Sequence, residues 1–128
     1  MRVPYSDMTA GSHVYYSRYL EWLEAARTEA FRDMGTTFLD YQDEQELMFP
    51  VVEVLVKYNK PARYDDVLDI RSWFAEVGKV RFIWEYEIAR EDAILADART
   101  LHICASLDEK PRRVPAELVT AMKKHVRE

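Results

Sequence analysis

The chain has 128 residues, 48% hydrophobic and 32% charged, with 3 glycines and 5 prolines, so it holds one domain with a sizeable core and no low-complexity or disordered composition. Its net charge of −5 disfavours nucleic acid binding, which needs a basic face. The single cysteine, Cys104, excludes an internal disulfide framework and fits a reducing compartment.

In chain order, Met1–Ser6 lacks the apolar run of a signal peptide. No apolar stretch approaches the roughly 20 residues that cross a bilayer. The expectation is a cytoplasmic protein with no membrane association. Arg2–Tyr5 reads as a short strand and Asp7–Ser12 as a loop. From Ser17 the pattern becomes helical. Tyr16, Leu20, Leu23, Ala26, Ala30 and Met34 recur at helix spacing, and Arg18, Glu21, Glu24, Arg27 and Glu29 fill the other face. Ser17 suits the N-cap and Gly35 the position just past the C-terminus.

Thr36–Met48 is acidic and reads as a connection with one helical turn. A strand-rich half follows. Val51–Tyr58 alternates, with Val52, Val54, Val56 and Tyr58 on one face and Glu53 and Lys57 on the other. Asn59–Tyr64 breaks the chain, Val67–Val77 is the next strand, and Gly78 turns it. Val80, Phe82, Trp84, Tyr86 and Ile88 line one face of a third strand, and Glu91–Asp92 turns again. Ile94–Leu107 is a fourth strand whose one face is small: Ala96, Ala98, Thr100, His102, Cys104, Ser106. Pro111 and Pro115 end it, and Ala116–Val126 is a terminal helix. The fold class is therefore α+β, a long helix lying on the small face of an antiparallel sheet. Trp73, Ile83, Leu101 and Ile103 fall on the sheet's other face, which predicts burial by a second subunit.

Tyr5–Tyr19 (YSDMTAGSHVYYSRY) and the following LEWLEAARTEAFRDMG resemble the signature Y-x-D-x-D-x-x-G-x-V-Y-x-x-x-Y-L-x-W-x-E-x-A-R of hotdog-fold acyl-CoA thioesterases of the 4-hydroxybenzoyl-CoA thioesterase-like family. The resemblance continues through VVEVLVKYNKPARYDDVLDIRSW, with Pro61, Ala62 and Asp66 at the family's P-A-x-x-x-D element, and into ARTLHICASLDEKPRRVPAEL. It covers nearly the whole chain. It implies a hotdog fold over residues 1–128, one long central helix wrapped by a curved antiparallel sheet of five or more strands. It also implies a homodimer with sites at the subunit interface, often paired into a homotetramer, and acyl-CoA or acyl-carrier-protein thioesters as ligands. No metal or redox cofactor is implied, and coenzyme A enters as part of the substrate.

The chain departs from the signature at informative places. The family's catalytic carboxylate position is Thr9, while the first Asp is kept as Asp7. Ser12 stands where the signature has glycine, and Tyr16 where one subgroup has histidine. A threonine hydroxyl cannot act as a general base near neutral pH, so Thr9 can only orient a water. Ser12-His13-Val14 resembles a sister subgroup reading D-x-D-x-x-x-H-V-N-N. Histidine ordinarily titrates near neutrality, so His13 becomes the candidate base, with Asp7 to orient it. The resemblance makes the Tyr16 N–H, at the mouth of the long helix, the oxyanion donor, with the helix dipole behind it.

The catalytic candidates are thus Asp7, Thr9, His13 and Tyr16. Two basic clusters are candidates for the coenzyme A phosphates: Lys57, Lys60 and Arg63, and Lys110, Arg112 and Arg113. Against each stands ordinary surface charge. Ser12, His13 and Asp7 do not form a nucleophilic triad, because no G-x-S-x-G elbow presents the serine. His102 reads as a satisfied core or interface histidine, and with Cys104 it supplies too few ligands for a metal. The expected activity is hydrolysis of an acyl-CoA thioester. The alternatives are a hotdog protein that binds acyl thioesters without hydrolysing them and, more remotely, a hotdog dehydratase.

Overall fold

The computed structural model of the chain describes every residue except Ala10, Arg127 and Glu128. The long helix α1 spans Arg18–Asp33. Its C-terminus is closed as the sequence suggests: Gly35 takes φ +83, the Gly35 N–H donates to Arg32 O (2.9 Å) and the Thr36 N–H to Phe31 O (3.1 Å). Together these satisfy carbonyls that the helix end would otherwise orphan. Its N-terminus is different. Ser17 is the N-cap residue, but its side chain makes no capping bond.

The buried face of α1 is Tyr19, Trp22, Leu23 and Phe31, with Ala26, Ala30 and Met34 packed beside them. Tyr16 and Leu20, expected on this face, are exposed. For Tyr16 the reason is that the helix begins only at Arg18, so Tyr16 lies ahead of it; Leu20 lies within the helix, on its exposed side. Burying each large side chain on this face contributes about 2 kcal/mol.

Helix α2 spans Phe38–Gln45, two turns where the sequence suggested one. Thr37 caps it, its Oγ1 accepting from the Asp40 N–H at 3.0 Å. Strand β1 (Leu47–Met48) follows, then β2 (Val51–Tyr58), β3 (Asp69–Val77), β4 (Arg81–Arg90), β5 (Ala93–Ile103), β6 (Ala105–Ser106) and helix α3 (Ala116–Lys123). The main sheet runs β2-β5-β4-β3, all neighbours antiparallel, and β1 pairs with β6 in a two-stranded extension. The expected fourth strand is thus broken at Cys104, whose N–H turns aside to Val80 O. Bulges near Val51, Phe74 and Ile88 coil the strands around the helix.

The register explains the small row. Phe82 faces His102, Trp84 faces Thr100, Tyr86 faces Ala98 and Ile88 faces Ala96, and all of them are buried. Large residues on β4 and small ones on β5 leave room for α1 over the middle of the sheet. On β2 the helix no longer covers the strand. Val51, Val52, Val54, Leu55 and Tyr58 are all exposed, and only Val56 is half-buried. The expected one-sided burial of this strand is therefore absent within one chain. The N-terminal strand also shortens, to a bridge between Arg2 and Val67, because Pro4 offers no N–H and Tyr5–Asp7 curls into a 3-10 turn. The terminal helix stops at Lys123, and the Phe74 N–H bonds His125 O beyond it.

Candidate active site

The site begins in the loop ahead of α1. Met8 and Val14 form an antiparallel bridge, and the Tyr15 N–H donates to Asp7 O at 2.9 Å. Between them the Thr9 N–H donates to His13 O (2.9 Å) and the Ser12 N–H to Thr9 O (3.2 Å). Ser12 sits at φ +63, the left-handed region. This is the conformation glycine adopts most freely, and a serine there costs about 1 kcal/mol. The turn therefore survives the substitution.

This loop forms one wall of a cavity of about 430 Å³, lined by Thr9, His13, Val14, Tyr15, Tyr16 and Tyr19 on one side and Tyr58, Asn59, Lys60 and Pro61 on the other. The mouth of α1 opens into it. Among the described residues, no group accepts a hydrogen bond from the Tyr16 N–H. Tyr16 precedes the N-cap Ser17, so its N–H lies just ahead of the helix, near the positive end of a dipole that favours negative charge. The Tyr16 carbonyl accepts from the Tyr58 hydroxyl at 2.8 Å. Tyr19 meets Tyr58 edge-on with centroids 4.9 Å apart, and its hydroxyl accepts from the Ala62 N–H at 3.0 Å. Burial raises the phenols of Tyr19 and Tyr58 above their ordinary value, so both remain protonated at neutral pH.

Of the four catalytic candidates, Thr9, His13 and Tyr16 line this cavity and Asp7 does not. Asp7 is buried behind the loop, where its Oδ2 accepts from the Trp22 indole N–H (3.3 Å) and its Oδ1 lies 3.8 Å from Arg18 Nε. His13 is exposed, and its Nε2 lies 2.7 Å from where a Cβ on Gly11 would stand. The bare Gly11 therefore leaves room for the imidazole.

The basic clusters separate. Lys60 lines the cavity, and Arg63 donates to Ser12 O at 3.3 Å, beside the loop. Lys57 alternates with Tyr58 on β2 and so projects from the opposite face of the sheet. Arg112 and Arg113 line a separate depression of about 710 Å³ beside β1 and β6, and Lys110 pairs with Asp108 at 3.7 Å. The two depressions have no lining residue in common. Tyr19 and Tyr58 escaped the sequence reading as site residues. The available signal was the position of Tyr58 directly before the NKPA break.

His102 is a core residue. It is 1% exposed, with Nδ1 3.0 Å from Phe49 O and Nε2 2.7 Å from Thr100 Oγ1. Burial pushes its pKa down to about 4, so the ring is neutral. Its Nδ1–H then donates to Phe49, and Nε2 accepts from Thr100. Burial also pushes the Cys104 thiol up to about 11, which makes it a poor nucleophile. No cluster of three or more metal-ligating side chains occurs among the described residues. No helix there is long and apolar enough to cross a membrane.

One long helix on an antiparallel sheet, with a cavity walled by the loop that leads into the helix, defines a hotdog protein. The profile of the family described as the thioesterase superfamily matches residues 11–96. The acyl-CoA thioesterase YbgC of Haemophilus influenzae is 34% identical over 122 residues, 94% of this chain and 90% of that protein. A probable thioesterase from Bartonella henselae superposes with a TM-score of 0.86 at 30% identity, covering 90% of this chain and 95% of that one. A hypothetical protein from Aquifex aeolicus gives 0.90 at 27% identity, covering 95% of each chain. The chain belongs to the thioesterase superfamily.

Proposed function

We propose that this protein hydrolyses acyl-CoA thioesters to the free acid and coenzyme A at the tyrosine-walled cavity. The observation that carries the reading is the Tyr16 N–H just ahead of α1, which donates to no described residue, with Tyr16, Thr9 and His13 lining the same cavity. The thioester carbonyl oxygen accepts from this N–H. A water, oriented by the Thr9 hydroxyl, attacks the carbonyl carbon and passes its proton to the His13 imidazole. The Tyr16 N–H holds the resulting oxyanion, and the helix dipole favours it. Collapse breaks the C–S bond, and the imidazolium returns its proton to the departing thiolate. Asp7 does not orient His13 as expected, since its carboxylate is taken up by Trp22 and Arg18; its part is to hold α1 against the site loop from behind. This route uses water and protein groups alone, and coenzyme A enters as part of the substrate.

Lys60 lines the cavity and Arg63 bonds the loop at Ser12 O, and both are assigned to the coenzyme A phosphates. Lys57, Lys110, Arg112 and Arg113 do not line this cavity, and any phosphate contact from them is assigned to the cavity of a second copy. The exposed apolar edge strand β2 supports such a copy, since an edge of this kind is normally covered. Pairing β2 with its symmetry mate gives a two-fold dimer with both cavities near the junction. Half-buried Ile83, Leu101 and Ile103 on the outer sheet face support a further pairing into a tetramer. A reducing cytoplasm suits the lone buried thiol.

Release of free thiol from acetyl-, butyryl-, hexanoyl- and benzoyl-CoA tests the reading, with wild type, His13→Ala and Thr9→Asp side by side. Turnover by wild type that collapses in His13→Ala supports it. Saturable binding without turnover, with activity appearing only in Thr9→Asp, replaces it with a protein that binds acyl thioesters without hydrolysing them.

A further inference from the structure

The start of α1 has an unusual anchor. Its N-cap residue, Ser17, makes no side-chain capping bond. Helix ends without caps fray, yet this end must hold a carbonyl-binding N–H steady. Two peptides make up the mouth. The Tyr15–Tyr16 peptide is held from within, the Arg18 N–H donating to Tyr15 O at 3.0 Å. The Tyr16–Ser17 peptide is held from outside, the Tyr58 hydroxyl donating to Tyr16 O at 2.8 Å. A peptide is planar and trans, so fixing the Tyr16 carbonyl also fixes the Ser17 N–H in the opposite direction and restricts rotation next to the Tyr16 N–H.

We propose that Tyr58 is a positioning residue for the reaction: by donating to the Tyr16 carbonyl its hydroxyl fixes the peptide that leads into α1 and aims the amides there at the substrate carbonyl. The inference rests on the hydrolytic site proposed above and extends it to a residue of β2, far from the loop in sequence. The geometry of Tyr58 suits the role. Its ring is braced edge-on by Tyr19, and Tyr19 is tied through Ala62 to Val14, whose N–H donates to Ala62 O at 2.9 Å. Loop, helix mouth and β2 are thereby locked together around the cavity. The phenol stays protonated at neutral pH, so the hydroxyl remains a donor.

Tyr58→Phe removes the hydroxyl and keeps the ring. The substrate is whichever of acetyl-, butyryl-, hexanoyl- and benzoyl-CoA the wild type turns over fastest. The expected result is a fall in kcat of roughly ten- to hundredfold with KM within about twofold, because substrate contacts persist while the carbonyl donors lose their aim. A second readout separates positioning from mere packing. The carbonyl stretch of the bound benzoyl-CoA analogue with methylene in place of sulfur is measured by infrared difference spectroscopy. It should lie below the free frequency in wild type and move back toward it in Tyr58→Phe. Unchanged kcat with an unchanged carbonyl band overturns the inference, as does a raised KM at constant kcat and constant band. If the wild type turns over no thioester, the hydrolytic reading fails, and the band shift still decides whether Tyr58 aims the amides.

Discussion

The indole N–H of Trp22, from the second turn of α1, donates to the Asp7 carboxylate at 3.3 Å, so the first aspartate of the signature is engaged by the core. Asp7→Ala leaves a buried indole N–H without an acceptor and should cost about 2 kcal/mol. Asp7→Asn keeps an acceptor for Trp22, weakens the contact with Arg18 and should cost less than half as much. Urea unfolding of both variants measures this. Equal losses would mean that the Trp22 bond contributes nothing.

Gly11 controls where the His13 imidazole can lie, since a Cβ there would stand 2.7 Å from Nε2. Gly11→Ala should therefore displace the ring. The ring is exposed, so unfolding free energy should stay within about 0.5 kcal/mol of wild type. Turnover should fall severalfold. Full activity in this variant would argue that His13 does not act from its observed position.

Ser12 holds a left-handed backbone at φ +63. Ser12→Gly removes the Cβ clash but adds freedom to the unfolded chain. The net effect should be a gain of under about 1 kcal/mol, read as a higher urea midpoint, with the site loop intact. A loss of stability would mean that the serine side chain contributes a contact that outweighs its strain.

His102 links stability to pH. Its folded pKa of about 4 lies below the unfolded value, so the unfolded chain binds the proton more readily. The contribution of neutral His102 is fully present above about pH 6.5 and is lost as pH falls from there toward 4, in total about 3 kcal/mol. Unfolding free energies measured from pH 7 to pH 4 should show this slope. His102→Asn should be less stable at pH 7 and should lack the histidine part of the slope. An unchanged slope in the variant would assign it to other groups.

Local signals made much of the fold legible. Gly35 marks the end of α1 because a C-terminal closure acts over a few residues, Ser17 marks its start by position without a side-chain cap, and the small row from Ala96 to Cys104 announces the contact with the helix. Helix α2 was partly hidden because its acidic, solvent-facing residues mask the periodicity, although Thr37 three residues before Asp40 is a capping signal. Tyr16 and Leu20 fit the helix period but not the core, because period alone does not say where the sheet ends. The loop carrying Thr9 and His13 could be placed from its contiguous motif. The bond between Tyr58 and Tyr16 could not, since it joins residues 42 positions apart and no local pattern encodes it.

The central claim is that a thioester carbonyl sits at the amide of Tyr16. The most direct test is a ¹⁵N–¹H spectrum of the assigned protein titrated with the methylene-for-sulfur analogue of benzoyl-CoA. The account predicts a downfield shift of the Tyr16 amide proton, with smaller changes at Thr9, His13 and Lys60. Shifts confined to Arg112, Arg113 and the depression beside β1 and β6, with Tyr16 unmoved, would contradict it.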